Sequence, residues 1–265
     1  MTATDWIPQG IDRAEPSAAR AYDYLLGGPH HFEADRQLAE KVLTVLPART
    51  MSRQNREFLH RVVAFLAGEG ITQYLDLGSG LPTLGNVHEA AQRADAASRV
   101  VYVDNEDAAV AHGRCLLGDS TNTVMLQADV REPQSVLDAS PTRQLIDFSQ
   151  PVALLMLGVT QFLHDADEPR ELIRRYREAL APGSCLAIAS FTWDNDPDTM
   201  RRTVEMFKES GRTPIVPRTR AEVLDFLGDF ELVDPGLVYA PQWRPDQPDA
   251  PAARSNLYAG VARKP

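Results

Sequence analysis

The residues best suited to chemistry lie in Tyr74-Leu75-Asp76-Leu77-Gly78-Ser79-Gly80-Leu81-Pro82-Thr83. A short apolar run ends at an acid and passes into two glycines separated by one small residue, the pattern of a buried parallel strand entering a turn that cradles a ligand. Glycine at 78 permits a sharp turn, and glycine at 80 removes the side chain that would hold a ligand off the backbone. A dinucleotide fingerprint requires a third glycine where Thr83 stands, and it delivers an anionic pyrophosphate that Asp76 would repel. A nicotinamide-dependent oxidoreductase is therefore disfavoured. An adenosyl ligand with positive charge and no phosphate avoids both conflicts.

Two further runs end the same way. Arg99-Val100-Val101-Tyr102-Val103-Asp104-Asn105 closes on an acid 26 residues beyond Gly78. Nucleotide-binding α/β folds place a carboxylate about 20 residues on, where it accepts hydrogen bonds from ribose hydroxyls. Thr123-Val124-Met125-Leu126-Gln127-Ala128-Asp129-Val130 is the third. Three successive strands would present Asp76, Asp104 and Asp129 at the carboxyl edge of one sheet, where open α/β sheets bind ligands. S-adenosyl-L-methionine is the cofactor this pattern suits, because its ammonium and sulfonium favour nearby carboxylate.

With Ala19-Arg20-Ala21-Tyr22-Asp23-Tyr24-Leu25-Leu26-Gly27-Gly28, the pair Asn55-Arg56, Asn86-Val87-His88 and Ala128-Asp129-Val130-Arg131, these segments resemble a bacterial S-adenosyl methyltransferase family long catalogued as a domain of unknown function. The resemblance covers nearly the whole chain and implies a class I methyltransferase fold. That fold is α/β and Rossmann-like, a seven-stranded mostly parallel sheet with an antiparallel last strand, helices on both faces and an N-terminal helical cap. It implies ribose contact at Asp104 with Asn105 beside it, adenine contact at Asp129 and Val130, and methionine-end contact at Asp76, Gly78, Ser79 and Gly80. In class I enzymes with helices ahead of the first strand, an arginine there can grip the cofactor carboxylate. Arg56 stands in a comparable place, and a solvated surface arginine is the alternative. The resemblance names no methyl acceptor.

These residues need elements to position them. Residues 1–15 show no periodicity and read as a loose arm. Ser17 caps a helix that Gly27-Gly28-Pro29 stops; a second is expected from Glu33 to Leu46 and a third from Ser52 to Ala67. Together they make residues 1–70 an arm and cap, ahead of a core over 71–265. Methyl transfer gains from a site that excludes water, so a lid is expected, with Tyr22, Tyr24, His30 and His31 as its residues. Core-rim tyrosines and turn histidines are the alternative. Pro151-Val152-Ala153-Leu154-Leu155-Met156-Leu157-Gly158 reads as the central strand, apolar throughout because both faces are covered. The loop after it carries His164 beside Asp165, a pair that serves either as a tuned base or as a buttress. Downstream, Trp243 in a proline-rich loop is expected to anchor that loop.

Composition narrows the partners. A chain of 265 residues with 43% hydrophobic content can bury a full core as one unit. A net charge of −10 makes nucleic acid a poor partner, because phosphate neutralisation supplies most of that affinity. No apolar run reaches the length of a membrane span and no secretory segment is evident, so a cytoplasmic protein with a small-molecule substrate is expected; a homodimer is compatible with the sequence. Cys115 and Cys185 support neither a disulfide framework nor a metal cluster, and both are expected to be buried thiols. A non-catalytic sensor of the same cofactor is the alternative function.

Overall fold

The computed structural model describes residues 11–83, 85–209, 214–247 and 255–265. The first ten residues of the expected arm and residues 248–251 of the proline-rich loop therefore lie outside the described residues. Three helices come first, α1 (Ala18–Leu26), α2 (Glu33–Leu43) and α3 (Ala48–Gly68). Strands and helices then alternate as β1 (Gln73–Leu77), α4 (Val87–Ala94), β2 (Arg99–Asp104), α5 (Asp107–Leu117) and β3 (Thr123–Gln127). Two short helices, α6 (Pro133–Leu137) and α7 (Ser140–Leu145), lead to β4 (Ala153–Leu157), α8 (Pro169–Ala179) and β5 (Cys185–Phe191). The chain ends with α9 (Pro197–Glu209), α10 (Arg220–Leu227), β6 (Glu231–Leu232), β7 (Val238–Tyr239) and β8 (Leu257–Arg263).

The strands form one sheet in the order β3-β2-β1-β4-β5-β8-β6, with β7 also paired to β8. β1 to β5 are mutually parallel, and β8 runs antiparallel to β5. The seven expected strands are present, and β7 adds a two-residue eighth. Alternation along each strand divides the core in two. Tyr74, Val100 and Tyr102 pack with Phe58, Val62, Val63 and Leu66 of α3 on one face. Leu75, Leu77, Val101 and Val103 pack on the other with Tyr176 of α8 and Phe226 of α10. The same alternation puts Asp76 and Asp104 on the α3 side, which brings Arg56 of α3 into electrostatic reach of Asp76.

The cap is held by local chemistry and by one buried ion pair. Ser17 Oγ accepts from Arg20 N at 3.1 Å at the start of α1, and Gly27 at φ +85° ends that helix in the left-handed region. Arg20 Nε meets Asp35 of α2 at 2.7 Å with both side chains buried, while Asp35 also accepts from Ser17 N at 2.8 Å and Phe32 N at 2.7 Å. Two expected boundaries move. α2 ends at Leu43 instead of Leu46, and α3 begins at Ala48 instead of Ser52, because Pro47 stands at the start of a helix, where its missing N–H costs nothing. Trp243 anchors its loop, fully buried with its ring edge-on to Phe58 at 5.3 Å and Phe65 at 5.8 Å. Cys185 is buried in β5, but Cys115 is exposed, a correction to its expected burial: it falls near the end of α5 on the face turned from the sheet. No helix among the described residues is long and apolar enough to cross a membrane.

Candidate functional site

The turn after β1 is fixed by its neighbours. Gly78 N and Ser79 N both donate to Val103 O, at 2.8 and 3.0 Å, which pulls the turn over the end of β2. Gly78 sits at φ +68°, and a Cβ there would lie 2.4 Å from Cγ2 of Val159, the second residue beyond β4. Gly80, at φ +62°, has Ala19 of α1 across from it, with 3.6 Å to a notional Cβ. Its N–H donates to Asp104 Oδ2 at 2.9 Å, while Asp104 Oδ1 accepts from Glu106 N at 2.9 Å. Asp104 is thus clamped between the glycine turn and the start of α5. Burial pushes its carboxyl above the usual range, and the N–H groups of Glu106, Gly80 and Asn105 oppose that push.

Asp76 is buried and has no ion-pair partner within 4.0 Å among the described residues. Burial raises its carboxyl from 3.8 to about 7; Arg56 acts to lower it and Asp104 to raise it further. Because the folded value exceeds the unfolded one, the folded protein holds the extra proton between about pH 4 and 7, so this group's stabilisation is lost as pH rises through 7. A cationic ligand selects the ionised form. Raising pH from 5.5 to 7.5 should therefore lower apo stability by about 2 kcal/mol while tightening S-adenosyl-L-methionine binding on the order of tenfold. Asp76→Asn should flatten both trends, as thermal melts and calorimetric titration across that range would show.

The neighbouring edge is occupied by Asp129 and Val130. Asp129 pairs with Arg131 at 2.5 Å, which holds its carboxyl below the usual range, and it accepts from Asn105 Nδ2 at 3.4 Å. Val130 is buried, with its carbonyl accepting from Tyr176 OH at 3.0 Å. Asp76, Asp104 and Asp129 therefore stand in succession along β1, β2 and the exit of β3, linked through Asp104 and Asn105.

The lid residues divide. Tyr22 OH donates to Ser52 O at 3.2 Å and accepts from Asn55 Nδ2 at 3.1 Å, with the Arg56 guanidinium 5.8 Å from its ring centre. His30 N donates to Asp23 Oδ2 at 2.7 Å, and the other oxygen of that buried Asp23 accepts from Thr83 Oγ1 at 2.6 Å. Asp23 thereby ties α1 to the glycine loop. Tyr24 and His31 instead meet each other edge-on at 4.9 Å, with Tyr24 OH donating to Glu40 at 2.7 Å and His31 Nδ1 lying 3.2 Å from Arg36 Nη1. Those two belong to the packing of the cap. The expected His164–Asp165 pair is not formed. Asp165 bonds Arg218 at 2.5 Å, and His164 N caps the next turn by donating to Asp167 Oδ2 at 2.7 Å. Adjacent residues on an extended chain point apart, so each found a separate partner.

Sequence reasoning passed over Asp23, Glu106 and Gln161. Asp23 and Glu106 gave no signal because their partners, Thr83 and Ala19 N, are remote in sequence. Gln161 and Asn55 flank Gly158 at the end of β4: a Cβ there would lie 3.4 Å from Asn55 Nδ2 and 3.8 Å from Gln161 Nε2. Four buried polar atoms of α3 and the loop after β4 have no hydrogen-bond partner among the described residues, namely Arg56 Nε, Asn55 Oδ1, Gln161 Oε1 and His164 Nε2. Unpaired buried groups are costly, and their gathering beside a glycine turn fits a site for a polar adenosyl ligand. Two surface cavities of about 360 and 320 Å³ lie between α5 and α7 and beside α6 and α8, and neither is lined by these carboxylates.

A family model described as S-adenosyl methyltransferase matches residues 4–265. A crystal structure of a candidate methyltransferase from Thermobifida fusca shares 42% identity, covers 98% of both chains and superposes with a TM-score of 0.90. A DUF574 family protein of Streptomyces avermitilis shares 37% identity over 96% of this chain and 99% of its own, with a TM-score of 0.89. Human N-acetylserotonin methyltransferase in complex with its cofactor, at 14% identity and a TM-score of 0.51 over 87% of this chain and 55% of its own, shares the fold alone. No curated protein matches the chain.

Proposed function

For a chain that belongs to the S-adenosyl methyltransferase family, we propose transfer of the methyl group of S-adenosyl-L-methionine to a small-molecule acceptor by in-line displacement. The cofactor supplies an already activated sulfonium methyl. The protein's task is then alignment and exclusion of water. Gly78 and Gly80 allow close approach at the turn, Asp104 holds the ribose, and Asp129 and Val130 border the adenine. Asp76 and Arg56 serve the ammonium and carboxylate of the methionine end. α1 lies over the turn through Ala19, and Asp23 fastens it to Thr83.

The observation that best supports this reading is the clamp of Gly80 N on Asp104, with the buried, unpartnered Arg56 Nε on the same face as Asp76. A planar guanidinium suits a carboxylate bidentately. Arg56→Ala should weaken cofactor binding by about tenfold to a hundredfold, equivalent to ~1.5–3 kcal/mol for a hydrogen bond to a charged group. Calorimetric titration decides it, and an unchanged dissociation constant removes Arg56 from the site. The reaction is tested by incubating the protein with labelled cofactor and a pool of small-molecule acceptors and following S-adenosylhomocysteine release. Binding without transfer to any acceptor would overturn the catalytic reading. The negative net charge supports a small acceptor over nucleic acid.

A further inference from the structure

The Asp129 carboxylate, at the exit of β3, is gripped by a single neighbour. Arg131 N and Nε each donate to Oδ1 at 2.9 Å, and on Oδ2 the same guanidinium donates from Nε at 3.0 Å and from Nη2 at 2.5 Å. A carboxylate accepts at about four lone-pair positions. Arg131 therefore fills two on Oδ1 and one on Oδ2. The remaining Oδ2 position meets only Asn105 Nδ2 among the described residues, at 3.4 Å, longer than an ordinary hydrogen bond. Two outside contacts steady the grip. Tyr176 OH donates to Val130 O at 3.0 Å, between the two residues, and Arg131 Nη1 lies 4.0 Å from Asp167 Oδ1 in the loop after β4. Asn105 follows Asp104, so the loosely held position is on the side of the strand end assigned to the ribose.

We propose, on the methyltransferase reading above, that Arg131 is a positioning residue that makes the adenine seat selective for a 6-aminopurine over a 6-oxopurine. The one loosely held acceptor position receives one N–H, and the amino group of adenine supplies it in place of Asn105. Hypoxanthine puts a carbonyl oxygen there, where two acceptors repel, and its nearest donor is the N–H on the next ring atom. A carboxylate free to turn about its own side chain reaches either donor. One held at both oxygens cannot follow the second, and a site built for one hydrogen-bond pattern rejects the other. Packing alone does not stop that rotation, because the Asp129 side chain is 25% exposed. The grip of Arg131 does.

The test titrates the whole chain at pH 7.5 with S-adenosylhomocysteine and with its 6-oxo analogue S-inosylhomocysteine, by calorimetry. Both ligands carry the same ribose and methionine end, so the ratio of their dissociation constants cancels what Asp76, Arg56 and Asp104 contribute. Wild type should favour the amino ligand on the order of tenfold or more. Arg131→Met should bring the two within about threefold of each other, chiefly by improving the 6-oxo ligand. Arg131→Lys keeps the charge without the planar fork, and its ratio should stay nearer to that of the methionine variant than to wild type. A merely structural Arg131 would weaken both ligands alike; a ratio unchanged in the methionine variant, or fully restored by lysine, overturns the proposal. If S-adenosylhomocysteine does not bind wild type, the methyltransferase reading falls and the role of Arg131 with it. If it binds and wild type does not discriminate between the two ligands, the role of Arg131 falls alone.

Discussion

Asp104→Asn should weaken S-adenosyl-L-methionine binding by about a hundredfold or more while leaving a folded protein. The carboxylate receives Gly80 N and Glu106 N at 2.9 Å each, one on each oxygen. Asparagine keeps one acceptor and turns an NH2 toward the other N–H, so one bond is lost and a donor faces a donor. A hydrogen bond to a charged group contributes about 1.5–3 kcal/mol, and the ribose contacts assigned to this side chain are of that kind. Losing them accounts for two orders of magnitude. The cost in the absence of ligand is smaller, about 1 kcal/mol, because burial already disfavours the ionised form of Asp104. Calorimetric titration and a thermal melt of the same preparation separate the two effects. Equal cofactor affinity in wild type and variant would remove Asp104 from the ribose site.

Gly78→Ala should lose about 3 kcal/mol of stability, and Gly80→Ala less. Both glycines lie at positive φ, which costs an L-residue roughly 1–2 kcal/mol. At 78 the added methyl would also stand 2.4 Å from Val159 Cγ2, and overpacking a dense core costs about 1–3 kcal/mol more. At 80 the nearest atom is Ala19 Cβ at 3.6 Å, an ordinary contact. The ranking should reverse for ligand binding per unit of stability lost. Gly80→Ala puts a methyl between α1 and the turn, in the space assigned to the cofactor, at the backbone cost of roughly 1–2 kcal/mol alone. A melting temperature for Gly78→Ala within a degree or two of wild type would show that the β4 exit does not press on this turn.

Much of the fold was legible because it rests on local periodicity. Apolar runs of strand length ending at Asp76, Asp104 and Asp129 identify β1, β2 and β3, and an uninterrupted apolar run identifies the central β4. Ser17 and Gly27 delimit α1 with chemistry visible in the sequence, as does the Thr219 capping box of α10. Pro47 misplaced the start of α3, since a proline that ends one helix can equally begin the next. The meeting of the glycine turn with the next acid was legible because each stands at the end of a strand, and Gly80 N donates to Asp104. Nothing of the kind was legible for His164 and Asp165, whose adjacency suggested a pair that their separate partners dissolve.

The sequence by itself determined the strand-to-glycine turns, the acids that follow them and the helical layer ahead of the sheet, because each depends on residues within a few positions of one another. Tertiary structure alone decided which of those groups meet. Asp23 reaches Thr83 across 60 residues, and Asn55 reaches Leu157 O across 102. Such contacts depend on how α1 and α3 lie over the carboxyl edge. The long-range packing of α3 on the sheet, which no local pattern encodes, brings Arg56 into electrostatic reach of Asp76 and sets the Asn55 amide nitrogen beside Gly158.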